Sequence, residues 1–292
     1  MQAAMVLSHF SRRQAFFTHL AVSTIIFVVL SWLIVQHWYP SFYFFSDGGD
    51  RAIATIFFVD VVLGPGLTLL VFKPGKKSLK FDMAVILIMQ FSALLWGVNK
   101  VYSERPAASV YYMGSFTCVA YPDAGKMNLD AIAAGPAGRQ RLGFLQRPDT
   151  VDELLDFSKQ AYAHNSSAVH YYGDLVAPLD ARVRPRLDKY ELDMAALQQS
   201  YPEFARSVQA YMNSPQFDSR HHKLAPLQCR YSKPLAVLDT RQMRIVDWLD
   251  SPGYLSTRAL DEPLPLSSQV QSGPVEDVMD AVVKDVFQTN AP

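Results

Sequence analysis

Apolar and polar positions divide the chain into two parts that suit different solvents. Nearly all of the long apolar runs lie before residue 103, and the remainder mixes charges, prolines and polar turns. Three of the runs, at about residues 16–38, 52–72 and 83–102, are long enough to cross the hydrocarbon core of a bilayer as helices. The pattern predicts a three-helix transmembrane domain over residues 16–102. The first run is longer than a signal-peptide core and lacks a small-residue cleavage site, so we expect it to be retained.

Lysine and arginine residues in the short loops predict the orientation of these helices. Residues 1–15 carry Arg12 and Arg13, and the loop between the second and third helices carries four lysines, which are Lys73, Lys76, Lys77 and Lys80. Both segments are expected in the cytoplasm. The lysines mainly indicate this orientation, and contact with lipid or an assembly motor is a second possible role for their loop. The third helix then leads outward and places everything after it on the other side of the membrane, which in a bacterium is the periplasm.

Residues 103–260 have the pattern of an α+β domain. Strand-like segments at 108–121 and 224–250 stand at its two ends, and segments with helical periodicity lie between them. This order favours a small antiparallel sheet against which the helices pack. The predicted fold class is therefore an α+β membrane protein, with three N-terminal transmembrane helices followed by a periplasmic α+β domain.

Helix signals within and after this domain are local. The Thr-x-x-Glu sequence at 150–153 predicts a helix over about 151–164, and the Ser-x-x-Glu sequence at 200–203 predicts the start of another. Residues 261–292 indicate an extended linker followed by an amphipathic helix at about 274–288. We expect that helix to dock on its own domain, with a partner or a membrane surface as the alternative.

Composition argues against one class of function and suggests one cross-link. The chain has 27 basic and 27 acidic residues and no long block of like charge, which gives no support to nucleic-acid binding. Its two cysteines, Cys118 and Cys229, both lie in the part expected in the periplasm, where a disulfide can persist. Such a bridge would close a loop of about 110 residues and contribute roughly 4–5 kcal/mol. Two buried free thiols are the alternative.

Asp60 is the most unusual residue of the apolar runs, because it stands in the sequence FFVDVVLGPG. A charge near the middle of a membrane costs about 2.5–3.5 kcal/mol, so this carboxyl must face other helices, water or a partner. Three interpretations stay open. They are a hydrogen bond to Gln90, Asn99 or a Ser/Thr of a neighbouring helix, a contact with a partner helix, and a proton relay.

Two glycine-rich segments flank Asp60. Gly64-Pro65-Gly66 removes a backbone donor and is expected to kink or unwind the second helix, which would open a groove for another helix. Asp47-Gly48-Gly49, in the loop between the first two helices, predicts a tight turn, with cation binding as the alternative. The five aromatic residues before this turn suit the level of the lipid headgroups.

No catalytic constellation is found in the sequence. It contains no Gly-x-Ser-x-Gly, no phosphate-binding glycine loop and no His-Glu-x-x-His. His221 and His222 are adjacent, so their side chains do not converge on a metal as an i, i+4 pair does. We expect no enzyme activity, no cofactor and no metal.

Three motifs in one order resemble the TfpX/TfpZ family of type IV pilin accessory proteins, also described as FimB-like. They are YPSFYFFSDGGD at 39–50, VDVVLGPGLTLLVFKPGKKSLKFD at 59–82, and an apolar helix that carries Gln90 and ends in VYSERP. The resemblance covers roughly residues 16–106, and RYSKPLAVLDTRQMRIVDW at 230–248 is similar to the late strand pair of that family.

The resemblance implies an inner-membrane protein of bacteria that aids assembly or dynamics of a specific type IV pilin. We expect a non-enzymatic, chaperone-like factor whose helices shelter the transmembrane helix of the major pilin while the periplasmic domain meets the pilin head. The residues expected to contact the partner are Asp60, Gly64, Pro65, Gly66, Gln90, Asn99, Asp47, Gly48 and Gly49. The alternatives are a membrane enzyme that modifies pilin by glycosyl or acyl transfer, and an adaptor to the pilus platform or motor.

Overall fold

The computed structural model describes residues 11–133, 140–146, 159 and 168–259. The chain divides into two compact units, residues 1–258 and 259–292, and nearly all described residues lie in the first. The helix predicted over 151–164, apart from Lys159, lies outside the described residues, as do the linker and helix predicted over 261–292.

Three helices are long and apolar enough to cross a membrane, and they confirm the three predicted spans. They cover Arg12–Trp38, Gly49–Val71 and Leu79–Ser103, and are called the first, second and third span below. The first span starts at a capping box, because Ser11 Oγ accepts from the backbone N–H of Gln14 and the Gln14 side chain accepts from that of Ser11. Its segments are an α-helix at Arg12–Leu33 and a π-helix at Ile34–Trp38.

The second span changes helix type ahead of its proline. Its segments are an α-helix at Gly49–Ile56, a π-helix at Phe57–Leu63 and an α-helix at Gly64–Val71. Of the kink or unwinding expected at Gly64-Pro65-Gly66, the unwinding does not occur, because this segment stays helical; the helix instead widens into a π-helix directly before it. A π turn moves each hydrogen-bond acceptor from residue i−4 to residue i−5, and this wider turn accommodates the missing N–H and the ring of Pro65. The third span is one α-helix, Leu79–Ser103.

Strands make up much of the chain after the third span. Those found among the described residues are β1 Pro106–Tyr112, β2 Ser115–Ala120, β3 Leu142–Leu145, β4 Val176–Pro178, β5 Tyr190–Leu192, β6 His222–Gln228, β7 Leu235–Asp239, β8 Arg244–Leu249 and β9 Thr257–Ala259. Seven of them form one sheet in the order β4-β3-β1-β2-β6-β7-β8, and β5 pairs with β9.

The large sheet is mixed but largely antiparallel, which confirms the predicted α+β class. Two of its six strand pairs are parallel, β3 with β1 and β6 with β2, and the other four are antiparallel. Both β3 and β6 return to the hairpin of β1 and β2 after a long connection, and a crossover of that kind permits parallel pairing. The sheet is thus larger than the small antiparallel sheet expected from the sequence.

The predicted disulfide is also confirmed. Cys118 in β2 is bonded to Cys229, which follows the end of β6, with a Cα–Cα distance of 4.8 Å and a sequence separation of 111. The parallel register of these strands pairs Phe116 with Leu227 and Thr117 with Gln228, so the next pair along the strands is the two cysteines. The bond therefore fastens the N-terminal hairpin of the domain to its late strands.

Helices of the α+β domain are short. In the described residues they are Leu129–Ala133, Ala168–Tyr171, Arg184–Lys189, Met194–Ser200 and Pro202–Met212, with 3₁₀ turns at Tyr121–Asp123, Gly173–Leu175 and Ala181–Val183. The capping box predicted with Ser200 is wrong, because Ser200 ends the preceding helix and Tyr201 is the N-cap, with no side-chain cap bond. Pro202 in the first turn, where its missing N–H leaves no intrahelical bond unmade, starts the helix instead.

The largest hydrophobic cluster joins the membrane helices to the sheet. It contains Ile34 and Ile56 of the first two spans, Phe42 and Tyr43 of the loop between them, and sheet residues such as Phe116. Phe42 and Tyr43 are 1 % and 3 % exposed. Phe42 and Tyr43 of the aromatic loop, residues 39–48, therefore pack into the core of the α+β domain, whereas the sequence predicted this loop at the lipid headgroups. Phe45 of the same loop is 59 % exposed.

Candidate functional site

A row of buried residues runs along one face of the second span. Its members are Ile56, Asp60, Gly64 and Thr68, four residues apart in sequence, and buried Phe72 follows directly after the span. Asp60 is only 3 % exposed and lies in the π-helix. The carboxyl expected to need shelter from hydrocarbon is thus sheltered by the protein's own helices.

Gln90 of the third span compensates for the proline in the second. In a π-helix the carbonyl oxygen of residue 60 would accept from the N–H of residue 65, and Pro65 has none. Gln90 Nε2 donates to this carbonyl oxygen at 3.2 Å. The expected bond between Gln90 and Asp60 therefore reaches the backbone rather than the carboxylate. Both carboxylate oxygens and Gln90 Oε1 are buried and have no hydrogen-bond partner among the described residues.

Gly64 leaves room for the close approach of Gln90. A Cβ atom at position 64 would overlap the Gln90 amide group. One turn further along, Thr68 Oγ1 and His19 Nδ1 of the first span share a hydrogen bond of 2.7 Å. Asp60, Gly64, Thr68, Gln90 and His19, here called the polar cluster, therefore connect all three spans.

Two residues predicted to belong to the site lie elsewhere. Asn99 is exposed and stands nine residues, or about 13 Å along a helix, beyond Gln90, so the structure does not bring it to Asp60. Gly66 faces the surface of the helices, with no heavy atom within 4 Å of the place a Cβ would take. Pro65 is buried.

The Asp47-Gly48-Gly49 turn is used inside the molecule. Gly48 has φ +94°, a left-handed conformation that glycine adopts without strain, and a Cβ there would overlap the ring of Tyr231. Gly49 begins the second span. The Arg51 guanidinium lies 4.1 Å from the centroid of the same Tyr231 ring. These features agree with the tight turn expected from the sequence. They also show that Gly48 leaves room for the Tyr231 ring of the α+β domain.

Asp47 is held against the segment after β6. Asp47 Oδ1 accepts from the backbone N–H of Arg230 at 3.4 Å, and Ser46 O accepts from that of Tyr231 at 2.9 Å. Burial raises the pKa of Asp47 to about 6, although the bonds from Arg230 and Ser46 favour its charged form. Its carboxylate and the sulfurs of Cys118 and Cys229 lie within 4.8 Å of one another, but both sulfurs are in the disulfide.

Further polar contacts complete this joint between helices and sheet. The Tyr43 hydroxyl and Ser109 Oγ of β1 are hydrogen-bonded at 2.8 Å. The Arg230 guanidinium donates to Glu104, just after the third span, at 2.7 Å. Sequence reasoning missed this joint. The run of five aromatic residues was its signal, but such a run also suits a lipid interface, and the pattern does not distinguish the two.

The predicted basic loop is exposed. Lys73, Lys76, Lys77 and Lys80 all face solvent, and Lys76 Nζ pairs with Asp82 at 2.6 Å. Arg12 donates to the backbone oxygen of Leu69, which places the start of the first span at the same end of the helices as this loop.

Together, the three spans and the attached sheet define a membrane protein with a folded α+β domain. Its relatives include three fimbrial assembly proteins of Dichelobacter nodosus. The protein of serogroups C1 and C2 is 31% identical over 107 residues, which cover 36% of this chain and 82% of the relative. The serogroup I protein is 34% identical over 95 residues, which cover 32% of this chain and 37% of that relative. The serogroup E1 protein is 31% identical over 107 residues, which cover 36% of this chain and 42% of that relative.

The chain belongs to the family of these fimbrial assembly proteins. It spans about two fifths of the length of the serogroup I and E1 relatives. No family model matches the chain, and no solved structure matches it.

Proposed function

We propose that this protein is a non-enzymatic, chaperone-like accessory factor of type IV pilus assembly in the bacterial inner membrane. Its partner is the major pilin, whose transmembrane helix lies against the three spans and whose head meets the α+β domain in the periplasm. Family membership with fimbrial assembly proteins is the observation that carries this proposal. The motif resemblance to TfpX/TfpZ accessory proteins and the exposed basic loop support the partner and the orientation.

The surface of the second span offers a place for a pilin helix. Leu67 and Leu70 are 49 % and 78 % exposed, and Gly66 beside them has open space beyond its Cα. Small residues at a helix surface let a second helix approach closely, which is the main source of attraction between helices in a membrane. Asp60 is buried away from this surface, and only its backbone carbonyl is bonded to the third span, so direct contact between its carboxylate and the partner is no longer expected.

The joint between helices and sheet supports contact with both parts of a pilin. The aromatic loop shares one hydrophobic cluster with the sheet, and the disulfide fastens the strands beside it. A partner that spans the same membrane and carries a head outside it can then meet the helices and the domain at once. Two linked contacts reinforce each other when the geometry permits both.

Co-purification with the major pilin tests the proposal. Gly66→Leu fills the open surface and is expected to lower pilin recovery from membranes at least fivefold. Gly97→Leu is the matched control, because the Cβ position of Gly97 on the third span is also open. Equal recovery with both variants and the wild type removes the helix contact at Gly66, and no recovery of pilin with the wild type removes the proposal.

Two further measurements separate this role from the alternatives. A fixed difference in the intact mass of pilin made with and without this protein would indicate a modifying enzyme. Cross-links from Lys73 and Lys77 to platform or motor proteins, without any to pilin, would indicate an adaptor.

A further inference from the structure

A cavity of about 310 Å³ opens between the end of the first span and the edge of the α+β domain. It is lined by His37 and Trp38 at the end of the first span, by Pro106 at the start of β1, and by Arg141 just before β3. Tyr43 and Pro106 are buried, and His37 is exposed, so the cavity has a closed inner end and an open mouth.

In the membrane orientation proposed above, the cavity lies at the level of the lipid headgroups. The first span ends at Trp38 and the third at Ser103, so this is where both helices pass out of hydrocarbon. Trp38 and Tyr102 meet edge to face at 5.3 Å between ring centroids. Amphipathic aromatic rings of this kind favour the boundary between hydrocarbon and water.

Two guanidinium groups lie beside or near the cavity. The Cζ atoms of Arg105 and Arg141 lie 3.7 and 5.7 Å from the ring centroid of Tyr121. Arg141 also donates to the Tyr121 hydroxyl. Within the described residues, no ion pair joins either guanidinium to an acid. Arg105 also contacts Tyr102, through its ring and its backbone oxygen, so Arg141 is the guanidinium that lines the cavity. Like charges this near one another favour a bound anion.

We propose that this cavity binds the phosphodiester of an anionic phospholipid. Arg141 at the wall supplies a guanidinium, whose planar donors match phosphate oxygens, and Arg105 adds a second positive charge. A lipid acyl chain can lie along the first span, because Trp32, which is 57 % exposed, contacts His37 with a ring-centroid distance of 5.0 Å. A zwitterionic lipid is disfavoured, since its ammonium group would bring a further positive charge to the site. In the orientation proposed above, the lipid belongs to the periplasmic leaflet.

Lipid titration of the delipidated, full-length protein in detergent, followed by native mass spectrometry, tests this site. The probes are phosphatidylglycerol, phosphatidylcholine and inorganic phosphate. We expect phosphatidylglycerol to bind at least about tenfold more tightly than phosphatidylcholine, and Arg141→Gln to remove that preference. Arg206→Gln is the matched control, because Arg206 is an exposed arginine on the helix Pro202–Met212. It should leave the preference unchanged.

Three results would overturn the proposal. They are equal binding of both lipids to the wild type, an unchanged preference in Arg141→Gln, and displacement of phosphatidylglycerol by inorganic phosphate at equal concentration. The last would assign the site to a free anion. If Arg141→Gln does not fold, the same lipid preference is measured in Arg105→Gln and His37→Gln. Loss of preference in either supports the site, and a full preference in both contradicts it.

Discussion

Substitution of Gly64 by alanine probes the contact that connects the second and third spans. The added methyl group overlaps the Gln90 amide, so this side chain must leave the place from which it donates to the Asp60 carbonyl oxygen. A buried carbonyl left without a donor costs about 1–3 kcal/mol. Rearrangement around the added methyl group costs about 1–3 kcal/mol more. Alanine regains up to about 1 kcal/mol through its higher helix propensity. We therefore expect Gly64→Ala to lower the free energy of unfolding by about 1–6 kcal/mol.

Gly66→Ala is the matched control for this experiment. It makes the same chemical change two residues away, where no heavy atom lies within 4 Å of the new methyl group. It should leave the free energy of unfolding unchanged or raise it by up to about 1 kcal/mol. The assay is reversible unfolding in mixed detergent micelles, followed by circular dichroism and tryptophan fluorescence.

A double-mutant cycle locates the cause. The Gln90→Ala variant has already lost the bond to the Asp60 carbonyl oxygen, and it leaves room for a methyl group at position 64. If the methyl group acts by displacing Gln90, Gly64→Ala should therefore lower the free energy of unfolding much less in that background. Equal destabilisation by Gly64→Ala and Gly66→Ala, or full additivity with Gln90→Ala, would refute the packing described for the polar cluster.

Three other predictions concern the joint between the helices and the sheet. The pKa of Asp47 is raised from 3.8 to about 6, so the folded state binds the proton more tightly, and its stability should fall by up to about 3 kcal/mol as the pH rises from 4 to 6. Asp47→Asn should remove this fall in thermal melts; a persistent fall assigns it to another group. Reduction of the bond between Cys118 and Cys229 should lower the free energy of unfolding of the α+β domain by roughly 4–5 kcal/mol. Melts with and without reductant measure this, and an unchanged melt would show that the bond contributes little. Tyr43→Phe leaves Ser109 Oγ without its buried partner and should cost about 1–3 kcal/mol in urea titrations, where Tyr211→Phe, at a partly buried hydroxyl, should cost less.

The features that the sequence predicted well depend on short-range patterns. Each span is a long apolar run whose length alone decides its state in a membrane. The turn between β1 and β2 has φ +45° at Met113 and +85° at Gly114, as in a two-residue hairpin turn, and the sequence showed two strand-like runs broken at that place. The disulfide could be predicted because the chain has only two cysteines and both lie after the third span, on the same side of the predicted membrane.

The features that the sequence did not predict depend on partners far away along the chain. Pro65 predicted a disrupted helix, but its effect is compensated by Gln90, 25 positions later, which no local pattern connects to it. The aromatic loop reads as lipid-facing because its partners, such as Trp248 beside Phe42, come some 200 residues later. Ser200 has the residue spacing of a cap, yet the helix before it extends through Ser200 and leaves it no capping geometry.

The aromatic loop also has a mechanical consequence. Because Phe42 and Tyr43 are anchored between the first two spans and the sheet, and the disulfide prevents the late strands from peeling away, no hinge separates the two parts at this place. Closely packed interiors resist compression and transmit displacement. A sideways force on the domain would therefore be transmitted to the spans and change their tilt, and the surrounding bilayer would resist that change.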